Sequence, residues 1–165
     1  MSGGCGELPP LICLEDCDGN WGKYINKVFA VFYRDFIESQ PKYNNKWVRC
    51  RREPIFQGKE AGFWHCTSTG DQEDQRKPDL RRCERIGWIR FAIENCLDVN
   101  VDCWTNERHG EVHHLVWLRE ELLVVLAERR RERDGFEYYQ LITAYIPEES
   151  YKVKLRKERD RSRNG

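Results

Sequence analysis

Three segments in the C-terminal half constrain the fold most: Val112 to Leu118, Leu122 to Glu128 and Glu137 to Ile146. Each carries strand-forming aliphatic or aromatic residues, and turn-prone or strongly charged stretches separate them. Strands so close in sequence pair most simply as an antiparallel meander, because parallel pairing needs a crossover of a dozen or more residues. A sheet of this kind must bury at least one face, so the rest of the chain has to supply a cover.

The cover is legible upstream. Ile25, Val28, Phe29, Phe32 and Phe36 recur at helical spacing behind Asn20, a good N-cap residue, which predicts an amphipathic helix of about four turns. Pro41 and Asn44-Asn45 end it, and Lys46 to Arg51 then alternates in the manner of a half-exposed strand. Pro78 and Asp79 open a second helix, whose Cys83, Ile86, Ile89, Ile93, Cys96 and Leu97 form one stripe. Glu148 to Arg161 reads as a charged terminal helix. Residues 1–20, with Gly3, Gly4, Gly6 and the adjacent Pro9 and Pro10, read as a flexible acidic leader, and residues 21–165 as a single domain. The expected class is α+β: N-terminal helices packed on an antiparallel sheet, with a charged C-terminal helix.

The longest apolar run, Leu122 to Ala127, is far too short to cross a bilayer, and no basic segment followed by an apolar run marks the N-terminus. A cytoplasmic protein without a membrane partner is expected. The eight cysteines are scattered, with no Cys-x2-Cys pair, and are expected to be reduced thiols. Net charge is zero, yet it is unevenly distributed. Glu7, Glu15, Asp16 and Asp18 stand near the start without a Lys or Arg, whereas Lys152, Lys154, Arg156, Lys157, Arg159, Arg161 and Arg163 crowd the end. A basic surface suits a nucleic acid; it is equally the composition of a solvated helix.

Chemistry-bearing residues concentrate in Phe63-Trp64-His65-Cys66-Thr67-Ser68-Thr69-Gly70 and in Pro78 to Ile86. His65, between aromatic and hydroxyl neighbours, suits an acid or base titrating near neutrality, or a structural histidine. Cys66 lacks the partners of a protease nucleophile. Arg81, Arg82 and Arg85 lie on the first turns of the predicted helix, where a planar guanidinium fork suits phosphate, with Glu84 as an alternative partner. Strict alternation from Tyr139 places Leu141, Thr143 and Tyr145 on one side of the last strand, so Thr143 and Tyr145 could orient a phosphate or stack on a base. Cys103, His109, His113 and His114 invite a zinc reading, but their spacing matches no knuckle, and adjacent His113 and His114 would point to opposite faces.

Phe63-Trp64-His65-x-Thr67-Ser68, Pro78-Asp79-Leu80-Arg81-Arg82-Cys83-Glu84-Arg85-Ile86, Leu123-Val124-Val125-Leu126, and Thr143-Ala144-Tyr145 before Lys154-Leu155-x-Lys157-Glu158 resemble a phage-type branch of the barnase, EndoU, colicin and RelE-like nuclease superfamily. The resemblance spans roughly residues 21 to 160. It implies helices packed on a sheet that presents the active site, and cleavage of RNA by attack of the ribose 2′-hydroxyl on the adjacent phosphate, with no metal and no cofactor. It implies His65 as general acid or base, with Thr67 beside it, Arg82 and Arg85 as phosphate stabilisers, and Thr143 and Tyr145 as positioning groups; Glu84 is the weakest member, a second base or an orienter of arginine. Arg49, Arg51, Arg81, Lys152, Lys154 and Lys157 are the expected RNA-binding residues. An antitoxin or immunity protein is a possible partner of such a toxin. The alternative is a catalytically inactive RNA-binding or protein-interaction module of the same fold.

Overall fold

The computed structural model describes residues 6–70, 72 and 75–164. Helix α1 (Trp21–Tyr33) starts where Asn20 Oδ1 accepts the Lys23 amide at 3.0 Å, and it continues into a wider π-helical turn, Arg34–Glu38. The short strands β1 (Lys42–Tyr43) and β2 (Lys46–Cys50) follow, then the hairpin of β3 (Ile55–Phe56) and β4 (Lys59–Glu60). Helix α2 (Ala61–Thr67) runs directly into β5 (Ser68–Thr69), which pairs with β6 (Lys77–Pro78). Asp79 caps α3 (Leu80–Glu84), and a break at Arg85 separates it from α4 (Ile86–Glu94). Strands β7 (Val101–Arg108), β8 (Glu111–Leu118), β9 (Leu122–Arg130) and β10 (Glu137–Tyr145) precede α5 (Glu149–Asn164).

The fold is α+β. Six strands form one sheet in the order β1-β2-β10-β9-β8-β7. The expected antiparallel meander is there, from β8 to β10, and β7 extends it. The sheet as a whole is mixed, because β2 joins β10 in parallel, a pairing made possible by the long excursion between them. Phe32, Phe36, Ile86, Ile89 and Ile93 pack with Val116, Val124, Leu126 and Leu141 on the inner face, the larger core. On the outer face Leu155 of α5 seals a smaller cluster of Trp104, Trp117 and Leu123.

Several expectations change. Residues 6–20 of the expected flexible leader are packed: the Ile12 amide donates to the Glu84 carbonyl at 3.0 Å, Trp88 Nε1 to that of Pro9 at 2.7 Å, and Tyr24 to that of Ile12 at 2.8 Å. The helical stripe stops at Ile93; Leu97 lies beyond α4 and is 99% exposed. In β10, Ile142 has no partner on β9, so a bulge reverses the alternation. Tyr139, Leu141 and Ala144 therefore face the larger core, and Thr143 and Tyr145 turn to the outer face, away from Leu141.

On β10, strand β2 pairs only with Tyr139 to Leu141, and α2 packs beside the remainder of β10. The Gly62 amide donates to the Arg51 carbonyl at 2.8 Å, which brings backbone against backbone. A Cβ on Gly62 would lie 2.9 Å from Cys50 Cβ and 3.0 Å from the Arg51 carbonyl oxygen. Gly62→Ala should therefore lower unfolding free energy by about 1–3 kcal/mol in urea titration; an unchanged midpoint would contradict this account of α2 docking.

Candidate active site at the end of helix α2

A helix leaves its last carbonyls without intrahelical donors, and the C-terminal end of its dipole attracts cations. Helix α2 is short, nearly surrounded by protein, and satisfies those carbonyls through distant elements. The Thr143 hydroxyl donates to the His65 carbonyl at 2.8 Å, and Arg82 Nη1 reaches the same oxygen at 3.4 Å and the Ser68 carbonyl at 2.9 Å. The Thr67 carbonyl accepts the Asp79 amide at 2.8 Å. Arg76 completes the cap, donating from Nη2 to the Ser68 carbonyl at 2.6 Å and from Nη1 to that of Gly70 at 2.7 Å.

Four of the expected site residues thus meet here. Thr143 and Arg82 share the His65 carbonyl, and the Arg82 guanidinium lies over the Tyr145 ring, 5.6 Å from its centre. His65 is the one half-exposed residue of α2. The Arg82 side chain is 13% exposed, and burial lowers its pKa, with Asp79 Oδ2, 3.5 Å from Nε, working against that shift. Burial pushes the Tyr145 hydroxyl up to about 12, helped by its hydrogen bond with Tyr151. Tyr145 therefore remains protonated at neutral pH and is a hydrogen donor to whatever binds beside it.

Other expected residues serve the fold. Thr67 is buried and its hydroxyl donates to the Phe63 carbonyl at 2.9 Å, the back-bonding common for a helical threonine, so it is corrected from site to scaffold. Glu84 and Arg85 sit away from the cluster: the Glu84 backbone anchors the leader, while Arg85 lies over Trp88 and 3.8 Å from both Glu84 and Glu121. Burial pushes the Cys66 thiol up to about 12, which removes it as a nucleophile at neutral pH.

The basic residues divide similarly. Arg49 projects from the outer face, its guanidinium 5.0 Å from the Phe136 ring centre and 5.4 Å from that of Tyr138. Arg51 is exposed but bonds the Glu53 carbonyl at 2.9 Å, and Arg81 is exposed on α3. Lys152 pairs with Glu149 at 3.0 Å, while Lys154 and Lys157 are exposed on α5. The tail's arginines hold α5 to the sheet instead: Arg159 bridges Asp102 and Glu120, each at 2.9 Å, Arg156 also pairs with Glu120, and Arg163 with Asp102.

The zinc window does not assemble. Cys103 packs toward the larger core, His114 is buried against Tyr43 and Tyr139, and His113 points to the outer face. Among the described residues no group of three or more His, Cys, Asp or Glu side chains is placed to hold a metal ion. No helix among them is long and apolar enough to cross a membrane.

Arg76, in a polar loop, has no periodic signal in the sequence, and His113 stands there only among the histidines that, with Glu84, offer a second base. His113 shares the outer face with Thr143 and Tyr145, and the clue was already in the sequence: of two adjacent histidines on a strand, one must face outward. No protein-family profile, curated protein or solved structure matches the chain at a significant level.

Thr143→Val keeps the shape of the side chain and removes the donor to the His65 carbonyl. The expected loss is about 1 kcal/mol of unfolding free energy, read by chemical denaturation. An unchanged stability would show that this bond does not help hold α2 against β10.

Proposed function

We propose that this chain is a metal-independent endoribonuclease whose active site lies where α2, α3 and the bulged end of β10 meet. One observation carries the reading: Arg82, Thr143, Tyr145 and the main-chain carbonyl of His65, up to 80 positions apart in the sequence, converge at the end of α2. An acid or base, a half-buried cation and two hydroxyl donors are the groups that attack on a phosphodiester by its neighbouring 2′-hydroxyl requires. His65 would take the 2′ proton, Arg82 would offset charge on the phosphate, and Thr143 would position α2 against β10. Tyr145, neutral and half-buried, would donate toward the departing 5′ oxygen. The products are a 2′,3′-cyclic phosphate and a 5′-hydroxyl end.

A second reading has an observation of its own. Thr143 already spends its hydroxyl proton on the His65 carbonyl, and Arg82 Nη1 is committed to two carbonyls. That economy suits a scaffold that binds RNA without cutting it.

Cleavage assays separate the two. With a chelator present, the purified protein should cut single-stranded RNA, and His65→Ala should slow cutting by at least about 100-fold while leaving the melting temperature unchanged. Binding that weakens steeply with salt while the RNA emerges intact would favour the scaffold reading. Full activity in the His65 variant would remove that residue from the mechanism.

A further inference from the structure

The groups around His65 provide one acid or base, whereas transfer of a phosphate from a 5′ oxygen to a 2′ oxygen moves two protons. We infer that His113, oriented by Glu111, supplies the second proton to Tyr145 through a water in the cavity that His113 and Tyr145 share. The inference rests on the ribonuclease reading.

The strand register places His113 on the outer face, opposite Asn106 on β7 and Ala127 on β9. Its side chain is 15% exposed, and its Nε2 stands 3.3 Å from Glu111 Oε2, two residues back on the same face of β8. The other Glu111 oxygen lies 3.3 Å from Arg129 Nη1 on β9. His113 and Arg129 together hold the Glu111 carboxyl below its usual range, so it is ionised at neutral pH and accepts from the ring. A carboxylate that orients a histidine in this way also fixes which ring nitrogen holds the proton.

The link to Tyr145 is spatial. His113, Tyr145, Asn106, Arg108 and Tyr151 help line one cavity of about 30 Å³. That is room for a single water, with several polar partners around it. Arg108 on β7 closes one side by donating to the Tyr151 hydroxyl at 2.8 Å, and Asn106 is fixed by Glu158 of α5 at 2.8 Å. The charged and titratable groups facing His113 and the cavity are therefore Glu111, Arg129, Arg108, Tyr145 and Tyr151, with Glu158 behind Asn106. Arg82 and Arg108 favour the charged form of Tyr145, which eases momentary loss of its proton even though the hydroxyl is protonated at rest.

The proton balance closes. The 2′ oxygen bonds to phosphorus as the bond from phosphorus to the 5′ oxygen breaks, and the 2′ proton passes to His65. Tyr145 gives its proton to the 5′ oxygen and regains one from the cavity water, which takes one from the His113 imidazolium. Nothing is oxidised or reduced. His113 acts through Tyr145 and is a positioning and proton-supplying residue.

The test compares two leaving groups in the full chain: an RNA dinucleotide, whose 5′ oxygen must be protonated, and a nucleoside 3′-(4-nitrophenyl phosphate), whose nitrophenolate leaves without a proton. His113→Gln should slow the dinucleotide by about 100-fold and leave the aryl ester within about 3-fold of wild type. Glu111→Gln, which removes the carboxylate that orients the ring, should show the same split between the two substrates, and it carries the comparison if His113→Gln fails to fold. Equal losses on both substrates, or no loss on the dinucleotide, would overturn the assignment. A wild-type protein that cuts neither substrate would overturn the ribonuclease reading and this inference with it.

Discussion

The carbonyl oxygen of His65 ties together three elements that the sequence keeps far apart. It is an orphan acceptor at the end of α2, and Thr143 of β10 and Arg82 of α3 both donate to it. A buried acceptor left unpaired costs on the order of 1–3 kcal/mol, so the helix end cannot remain buried without such donors. Their presence sets where α2 sits, which in turn sets where His65 stands relative to the sheet. The same contacts explain a half-buried arginine: the carbonyl end of a helix offers Arg82 partial negative charge, and Asp79 offers it a full one.

The bulge in β10 decides which face the chemistry occupies. Without the extra residue at Ile142, Thr143 and Tyr145 would continue the inward alternation of Tyr139 and Leu141 and be buried against the helices. With it, Leu141 and Ala144 both serve the larger core while Thr143 and Tyr145 reach the outer face beside Arg82 and His113. Helix α5 then covers the part of that face lined by Trp104, Trp117 and Leu123, leaving Arg49, Arg129 and Gln140 on the part nearer β2. Arg156, Arg159 and Arg163 of the basic tail thus fasten α5 to the sheet through Asp102 and Glu120, which accounts for their charge without a ligand.

Much of the fold was legible because its signals are local. Asn20 before an apolar helical stripe, Asp79 after Pro78, and the closely spaced strands from β8 to β10 each announce themselves within a short window. Helix α2 was not legible, because seven residues buried on nearly every side carry no period. Strand β7 was hidden by Asp102, Thr105, Asn106 and Glu107, polar residues that earn their place only by pairing with β8 and α5. The parallel β2–β10 pairing and the Ile142 bulge are decisions made by distant neighbours. For the site, residue types pointed to His65, Arg82, Thr143 and Tyr145; Thr67, Glu84 and Arg85 looked equally suitable, since hydrogen-bond partners and not residue type separate cap from catalyst. His113 could be placed only once the register fixed its face.

The central claim is that RNA meets this protein at the end of α2 and the outer edge of β10. Amide chemical shifts of the isotope-labelled protein, titrated with an RNA oligonucleotide carrying 2′-methoxy groups in place of the attacking hydroxyls, test it most directly. The account predicts the largest saturable shifts at His65, Ser68, Arg82, Thr143 and Tyr145. Shifts confined to the exposed Lys154, Lys157 and Arg161 side of α5, with those five amides unmoved, would contradict it.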